Sequence, residues 1–310
     1  MNHILTAEQF SHVDLERLFT KADKFRKSDQ TSAGRRKVMQ RHTDRIMLSM
    51  FFEPSTRTRF SFEIAATKLG IGIVSTENAA EFSSIVKGES IEDMVKVFNE
   101  YGIDAISIRT KEEGHAARAA SVSKATIINC GDGKGEHPTQ SVLDMYTIHE
   151  QFKRLDNLRV VIGGDLAHGR TARSLSIMLS QFPGTEIIFV SSPELRIGDD
   201  IKARLNEDGT VFKETSEMHG ALRNADVVYW TRSQLERHEK KLKFDQDAFV
   251  LDVAALDVMP KSAIIMHPLP RNHEIPASTD SDPRAKYFRQ AGNGLYVRMA
   301  MLDEIMSGRS

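Results

Sequence analysis

Short β-rich runs alternate with helically spaced segments along most of the chain, and this alternation restricts the fold more than any other feature of the sequence. A first series has strands predicted at residues 45–51, 72–75, 104–108 and 125–129. Helical spacing lies between them, as at Ile91, Met94, Val95 and Phe98 ahead of Gly102. A second series has strands predicted at residues 159–162, 186–190, 226–230, 249–253 and 263–266, separated by helical stretches such as 171–181 and 201–206. A strand that returns through a helix to a neighbouring strand makes a parallel pair, so each series calls for a parallel β-sheet flanked by helices. The expected fold class is α/β, with two doubly wound domains.

The 310 residues, 40% of them hydrophobic, suffice for two cores at roughly 100–200 residues per domain. The expected division is 1–140 plus 288–310 for one domain and 141–287 for the other. Pro138 suits the first turn of a helix that Val142, Met145 and Ile148 carry to about Phe152, and this helix is expected to bridge the domains. A last helix, residues 287–306, is expected to be interrupted early by Gly292 and Gly294. With no strand after it to feed, it is expected to pack back on the first domain.

Lys and Arg number 42 against 43 Asp and Glu, a formal net charge of -1, so nucleic acid and anionic membranes are not expected partners and any anion site must be local. Cys130 is the one cysteine, which excludes an intrachain disulfide and a cysteine-cluster metal site and suits a reducing compartment, the cytoplasm by default. No run of eighteen apolar residues occurs, and the start, Met1 to Thr6, lacks the pattern of a signal peptide. A soluble, untargeted protein is expected.

The string Phe52-Glu53-Pro54-Ser55-Thr56-Arg57-Thr58-Arg59 lies after a predicted strand and before a helical stretch, where unpaired backbone N–H groups bind anions. Three hydroxyls and two guanidiniums within five residues suit a phosphate, because Arg can bind two oxygens at once. By composition alone, Ser55 or Thr56 serves equally well as a helix N-cap beside two surface arginines. Further along, Gly131-Asp132-Gly133 precedes His137-Pro138-Thr139-Gln140 at a second strand-to-helix junction, and Arg109 ends a predicted strand. Ser83 to Ser90 reads as a mobile loop into a helix near Ile91. Gly164-Asp165-Leu166-Ala167-His168-Gly169-Arg170-Thr171 marks a third junction and lacks the full glycine spacing of a dinucleotide site. Thr231-Arg232-Ser233-Gln234-Leu235-Glu236-Arg237 and His267-Pro268-Leu269-Pro270-Arg271 follow two later strands. The prolines of the second string fix a turn whose carbonyls can accept from an amine.

These motifs resemble the carbamoyltransferase family, which includes aspartate and ornithine enzymes, over about residues 51 to 301. The resemblance implies that Ser55, Thr56, Arg57, Thr58 and Arg109 hold the phosphate of carbamoyl phosphate. Thr58, Arg109 and His137 would polarise its carbonyl, and Gln140 would contact the carbamoyl group. Catalytic roles fall to Arg57, Thr58, Arg109 and His137. Ser83 and Lys87 would reach the site of a neighbouring chain in a homotrimer, with Val86 standing where some bacterial relatives carry another lysine. The resemblance also assigns Arg170, Arg232 and Gln234, with Lys87, to the carboxylates of aspartate, and Pro268 and Leu269 to its binding. Two arginines agree with a dicarboxylate acceptor. Pro268 stands where ornithine enzymes usually carry cysteine. The implied reaction converts carbamoyl phosphate and L-aspartate to N-carbamoyl-L-aspartate and phosphate, an early step of pyrimidine biosynthesis, with no metal or cofactor. Ornithine as acceptor and a catalytically silent assembly partner are the competing readings. A regulatory chain or a dihydroorotase partner is possible within such a family.

Overall fold

Every strand pairing among the described residues of the computed structural model, which are 3–76, 78–133, 135–233 and 249–308, is parallel. The chain divides into two compact units, Met1–Val142 with Gly292–Ser310, and Leu143–Ala291. In the first, α1 (His12–Asp29) and α2 (Ser32–Met39) precede β1 (Ile46–Phe51), α3 (Thr56–Leu69), β2 (Gly72–Thr76) and α4 (Ala79–Phe82). There follow α5 (Ile91–Glu100), β3 (Ala105–Thr110), α6 (His115–Val122), β4 (Thr126–Asp132) and the start of α7 (Pro138–Phe152). The second unit continues through β5 (Arg159–Gly163), α8 (Arg170–Ser180), β6 (Glu186–Val190), α9 (Asp199–Glu207), β7 (Val211–Thr215) and α10 (Met218–Leu222). It then adds β8 (Val227–Trp230), α11 (Val253–Val258), β9 (Ile264–Met266) and the first turn of α12 (Tyr287–Ser307).

The sheets run β2-β1-β3-β4 and β7-β6-β5-β8-β9. Strands β1, β3 and β4 are buried along nearly their whole length, β4 although it ends the sheet, as helices on both sides of a parallel sheet require. One core places Leu48, Met50, Ile106, Ile108 and Ile127 of the first sheet against Ile91, Met94 and Val95 of α5. The other packs Val161, Val228, Trp230 and Ile265 with Leu222 and Leu251.

Three sequence expectations need correction. Residues 249–253 form no strand: Leu251 donates a backbone bond to Glu274 O at 2.9 Å, and Asp252 caps α11 by accepting from Ala255 N at 2.9 Å. Leu251 is buried for packing, and periodicity alone cannot distinguish that from a strand. Strand β7 was not expected, because this edge strand is partly exposed and carries Lys213 and Glu214 where an inner strand would be apolar. Helix α12 is continuous through Gly292 and Gly294. Each glycine costs a helix about 1 kcal/mol, but Val297, Met299, Met301, Leu302, Ile305 and Met306 on the same helix are almost fully buried and outweigh that. From Gly292 onward α12 belongs to the first unit, so the C-terminal helix packs there.

Asp303 of α12 is 1% exposed and receives Arg41 Nε at 2.7 Å, His42 Nε2 at 2.9 Å and Lys21 Nζ at 3.1 Å. Burial by itself would raise its pKa, but hydrogen bonds from His42, Arg41 and Lys21 outweigh burial and hold the carboxyl well below its ordinary value of 3.8. Because the folded value is depressed, the stabilisation is present above the unfolded value and is lost as pH falls toward the folded one. Asp303→Asn is expected to cost about 3 kcal/mol in urea unfolding at pH 7. The gap to the wild type should narrow below about pH 4.

Candidate active site

In both units the motifs singled out in the sequence lie at or just beyond the C-terminal ends of parallel strands, where an open α/β sheet presents its ligand-binding loops. Ser55 is the N-cap of α3, yet its side chain makes no capping bond. Its Oγ instead accepts from Arg109 Nη1 at 3.3 Å, so Ser55 gives no side-chain acceptor to the first turn of α3. The capping alternative open from composition is thereby excluded for Ser55. Thr56 and Arg57 are exposed at the start of α3, while Thr58 turns inward, 6% exposed, with Oγ1 3.3 Å from His137 Nε2.

Arg109 projects from β3, half-buried, and also approaches Cys130 O at 3.4 Å and Glu53 Oε2 at 3.4 Å. The nearby carboxylate partly offsets the desolvation of the guanidinium. His137 is 4% exposed and places Nδ1 3.4 Å from Thr139 Oγ1; Gln140, three residues later in the first turn of α7, is also buried. The structure therefore brings Ser55 to Arg109 and Thr58 to His137. Among the described residues, neither Ser83 nor Lys87 bonds to any of these four. Ser83 Oγ donates to Ala79 O, and the expected loop, which follows α4, contains a 3-10 turn, Ser84–Lys87, on which Lys87 is exposed.

Asp132 positions His137, a role that the sequence reading did not assign. One carboxylate oxygen accepts from Asn129 Nδ2 at 3.2 Å and Glu136 N at 3.0 Å, and the other from Gly114 N at 3.1 Å. Gly131 at φ 111° and Gly133 at φ 50° let the chain make this turn; a Cβ on Gly133 would also lie 2.7 Å from Lys111 O. An acidic residue between two glycines at a strand end was the available signal.

In the second unit, Arg170 is the first residue of α8 and is 7% exposed. Arg232 follows β8, half-buried, with Nη1 3.2 Å from Ser233 O. The loops that carry them pack backbone to backbone: a Cβ on Gly164, at φ 103°, would lie 2.0 Å from Thr231 O, and Thr231 Oγ1 donates to Gly163 O at 3.0 Å. Asp165, fully buried, accepts from His168 N at 3.2 Å and shapes the same loop. Pro268 and Leu269 follow β9 half-buried, with Leu269 at φ 56° and a cis bond to Pro270. Gln234 lies outside the described residues. Burial and the Asp144 carboxylate push the Tyr229 phenol well above its ordinary range, so this group is neutral at physiological pH.

Two adjoining parts of one family account for both halves of this arrangement. Residues 2–150 match the model described as aspartate/ornithine carbamoyltransferase, carbamoyl-P binding domain. Residues 156–305 match aspartate/ornithine carbamoyltransferase, Asp/Orn binding domain. The chain belongs to the aspartate/ornithine carbamoyltransferase family. It is 42% identical over 316 residues to the chloroplastic aspartate carbamoyltransferase of Oryza sativa subsp. japonica, covering 100% of this chain and 86% of that one. The catalytic subunit of M. jannaschii aspartate transcarbamoylase superposes with a TM-score of 0.89 at 35% identity, covering 100% of this chain and 99% of the other. Aspartate transcarbamoylase from Trypanosoma cruzi, solved with carbamoyl phosphate and aspartate, gives a TM-score of 0.86 at 33% identity over 97% of this chain and 95% of its own.

Asp132→Ala removes an acceptor from three donors and is expected to cost about 2–3 kcal/mol in urea unfolding, at about 1–3 kcal/mol for a buried donor left unpaired. A change below about 0.5 kcal/mol would mean that the turn does not depend on this carboxylate.

Proposed function

We infer that the protein transfers the carbamoyl group of carbamoyl phosphate to L-aspartate, giving N-carbamoyl-L-aspartate and phosphate. The observation that carries this reading is the start of α3, where Ser55 is drawn to Arg109 instead of capping the helix, beside the Thr58–His137 pair. First-turn backbone N–H groups of α3, hydroxyls of Ser55, Thr56 and Thr58, and guanidiniums of Arg57 and Arg109 suit the phosphate. Thr58, Arg109 and His137 donate to the carbonyl oxygen, and Gln140 contacts the carbamoyl amide. In the other unit, Arg170, Arg232 and Gln234 bind the carboxylates of aspartate, and the Pro268–Leu269 turn receives its amine. The names of the rice, archaeal and trypanosomal relatives support aspartate over ornithine.

The neutral amine attacks the carbonyl carbon, forming a C–N bond and a tetrahedral intermediate with negative charge on oxygen. The C–O bond to phosphate then breaks, and the departing phosphate takes the amine proton. Each donor at the oxyanion contributes on the order of 10²–10³-fold. Alignment of the two substrates adds a factor bounded by effective molarities on the order of 10⁵–10⁸ M. The product's place in pyrimidine biosynthesis follows from this chemistry, and a cytoplasmic location suits the one buried cysteine.

The same reading makes the active enzyme a homotrimer in which Ser83 and Lys87 serve a neighbouring chain's site. Exposed Lys87 and Val86, and the exposed apolar Phe60, Ile64 and Val74 of the first unit, support an intermolecular role for this region. Any regulatory chain or dihydroorotase partner would assemble around that trimer.

Arg57→Ala should lower carbamoyl aspartate formation by about 10²–10³-fold or more while leaving the melting temperature unchanged. Near-normal turnover would remove the phosphate assignment, and the same colorimetric assay run with ornithine tests the acceptor. Mixing Arg57→Ala and Lys87→Ala chains under subunit exchange should restore some activity. No recovery after exchange verified by native mass spectrometry would exclude sharing of the site.

A further inference from the structure

His267 is 1% exposed, and both its ring nitrogens are engaged. The N–H of Leu269 donates to Nδ1 at 2.8 Å, so Nδ1 carries a lone pair and the ring's proton sits on Nε2. Nε2 donates to Glu274 Oε1 at 3.0 Å, and that oxygen also accepts from Asn272 N at 2.9 Å. Burial would raise the pKa of Glu274, but the hydrogen bonds from His267 and Asn272 outweigh it and hold the carboxyl below its usual range. The pair is thus a carboxylate and a neutral imidazole of one tautomer. A second proton on the ring would face the Leu269 N–H, donor against donor.

The residue is anchored from its backbone as well. His267 N donates to Gln290 Oε1 at 2.9 Å, and Gln290 Nε2 donates to Asp144 Oδ1 at 2.7 Å; both partners are buried. Leu269 is held at φ 56°, a left-handed conformation that costs a non-glycine residue about 1–2 kcal/mol. The N–H of Leu269 and the C=O of Pro268 belong to one planar trans peptide and point in opposite directions. A ring nitrogen that fixes the N–H therefore fixes the direction of the Pro268 carbonyl, turning it away from the imidazole.

We propose that His267 is a positioning residue for the amino-acid acceptor: through Nδ1 it aims the Pro268 carbonyl that receives the acceptor's amine. The proposal rests on the reading of Pro268–Leu269 as part of the aspartate site. His267 itself touches no reacting atom. Glu274 and the Gln290–Asp144 pair hold the ring and the strand end behind it, so the orientation of one carbonyl is set by groups buried on three separate segments.

Two substitutions separate the two ring bonds. His267→Gln places an amide donor where Nε2 reaches Glu274 but offers no acceptor at the Nδ1 position. His267→Asn places an amide oxygen near the Nδ1 position and gives up the Glu274 contact. His267→Gln should raise the aspartate KM by about tenfold with the carbamoyl phosphate KM within about twofold, and His267→Asn should return the aspartate KM to within about threefold of wild type. An unchanged aspartate KM in His267→Gln, an equal rise in both variants, or a parallel rise for both substrates overturns the proposal. If His267→Gln does not fold, the ¹⁵N shift of Nδ1 in wild-type protein, titrated with aspartate in the presence of phosphate, should move; a constant shift overturns it. Wild-type enzyme that forms no carbamoyl product from aspartate would instead overturn the acceptor assignment, before either variant is made.

Discussion

The hydrogen bond between Arg109 and Ser55 is the interaction on which the first half of the site depends. It ties the C-terminal end of β3 to the entry of α3 and withdraws from the helix the side chain that would otherwise cap it. A helix start with open N–H groups is costly when nothing binds there, and it becomes an anion site when something does. Glu53 moderates the same arginine, and Thr58 and His137 complete the donor set within one helical turn of Ser55 and at the end of β4. Parallel pairing makes this convergence possible, because it brings the C-terminal ends of neighbouring strands to one edge of the sheet.

The second unit solves a different problem with similar means. Its acceptor groups sit on loops after β5, β8 and β9, and those loops are held from behind by buried polar pairs. Gly164 against Thr231 brings two loops to backbone distance, and Asp165 shapes the turn before Arg170. His267 with Glu274, and Gln290 with Asp144, secure the third. The His267–Glu274 and Gln290–Asp144 pairs are buried, where a satisfied hydrogen bond gives rigidity and an unsatisfied one is expensive. That is why these acidic and amide residues lie behind the site, while Arg170 and Arg232 supply the positive charge that two carboxylates require.

Much of this was legible along the chain. Eight of the nine strands among the described residues follow from short β-rich runs bounded by helical spacing, and Pro138 marks the start of α7. The strings at Ser55 to Arg59, His137 to Gln140 and His267 to Arg271 signal chemistry because they crowd donors, or rigid acceptors, at strand ends. Legibility failed where packing overrides local pattern. The run from Phe249 to Val253 is apolar because Leu251 enters the core, not because it pairs; β7 is polar because it forms an edge; α12 passes through two glycines because its later turns are buried.

The sequence alone determined the α/β class, the two-part organisation and the residue types at each junction, because these depend on local periodicity, chain length and the chemistry of short strings. Only the tertiary structure decided that the Ser55 hydroxyl turns to Arg109, that Asp132 secures the loop carrying His137, and that Nδ1 of His267 accepts from Leu269. Those choices arise between groups far apart in sequence, or between the two nitrogens of one ring, and are set by which donor and acceptor meet when water is excluded.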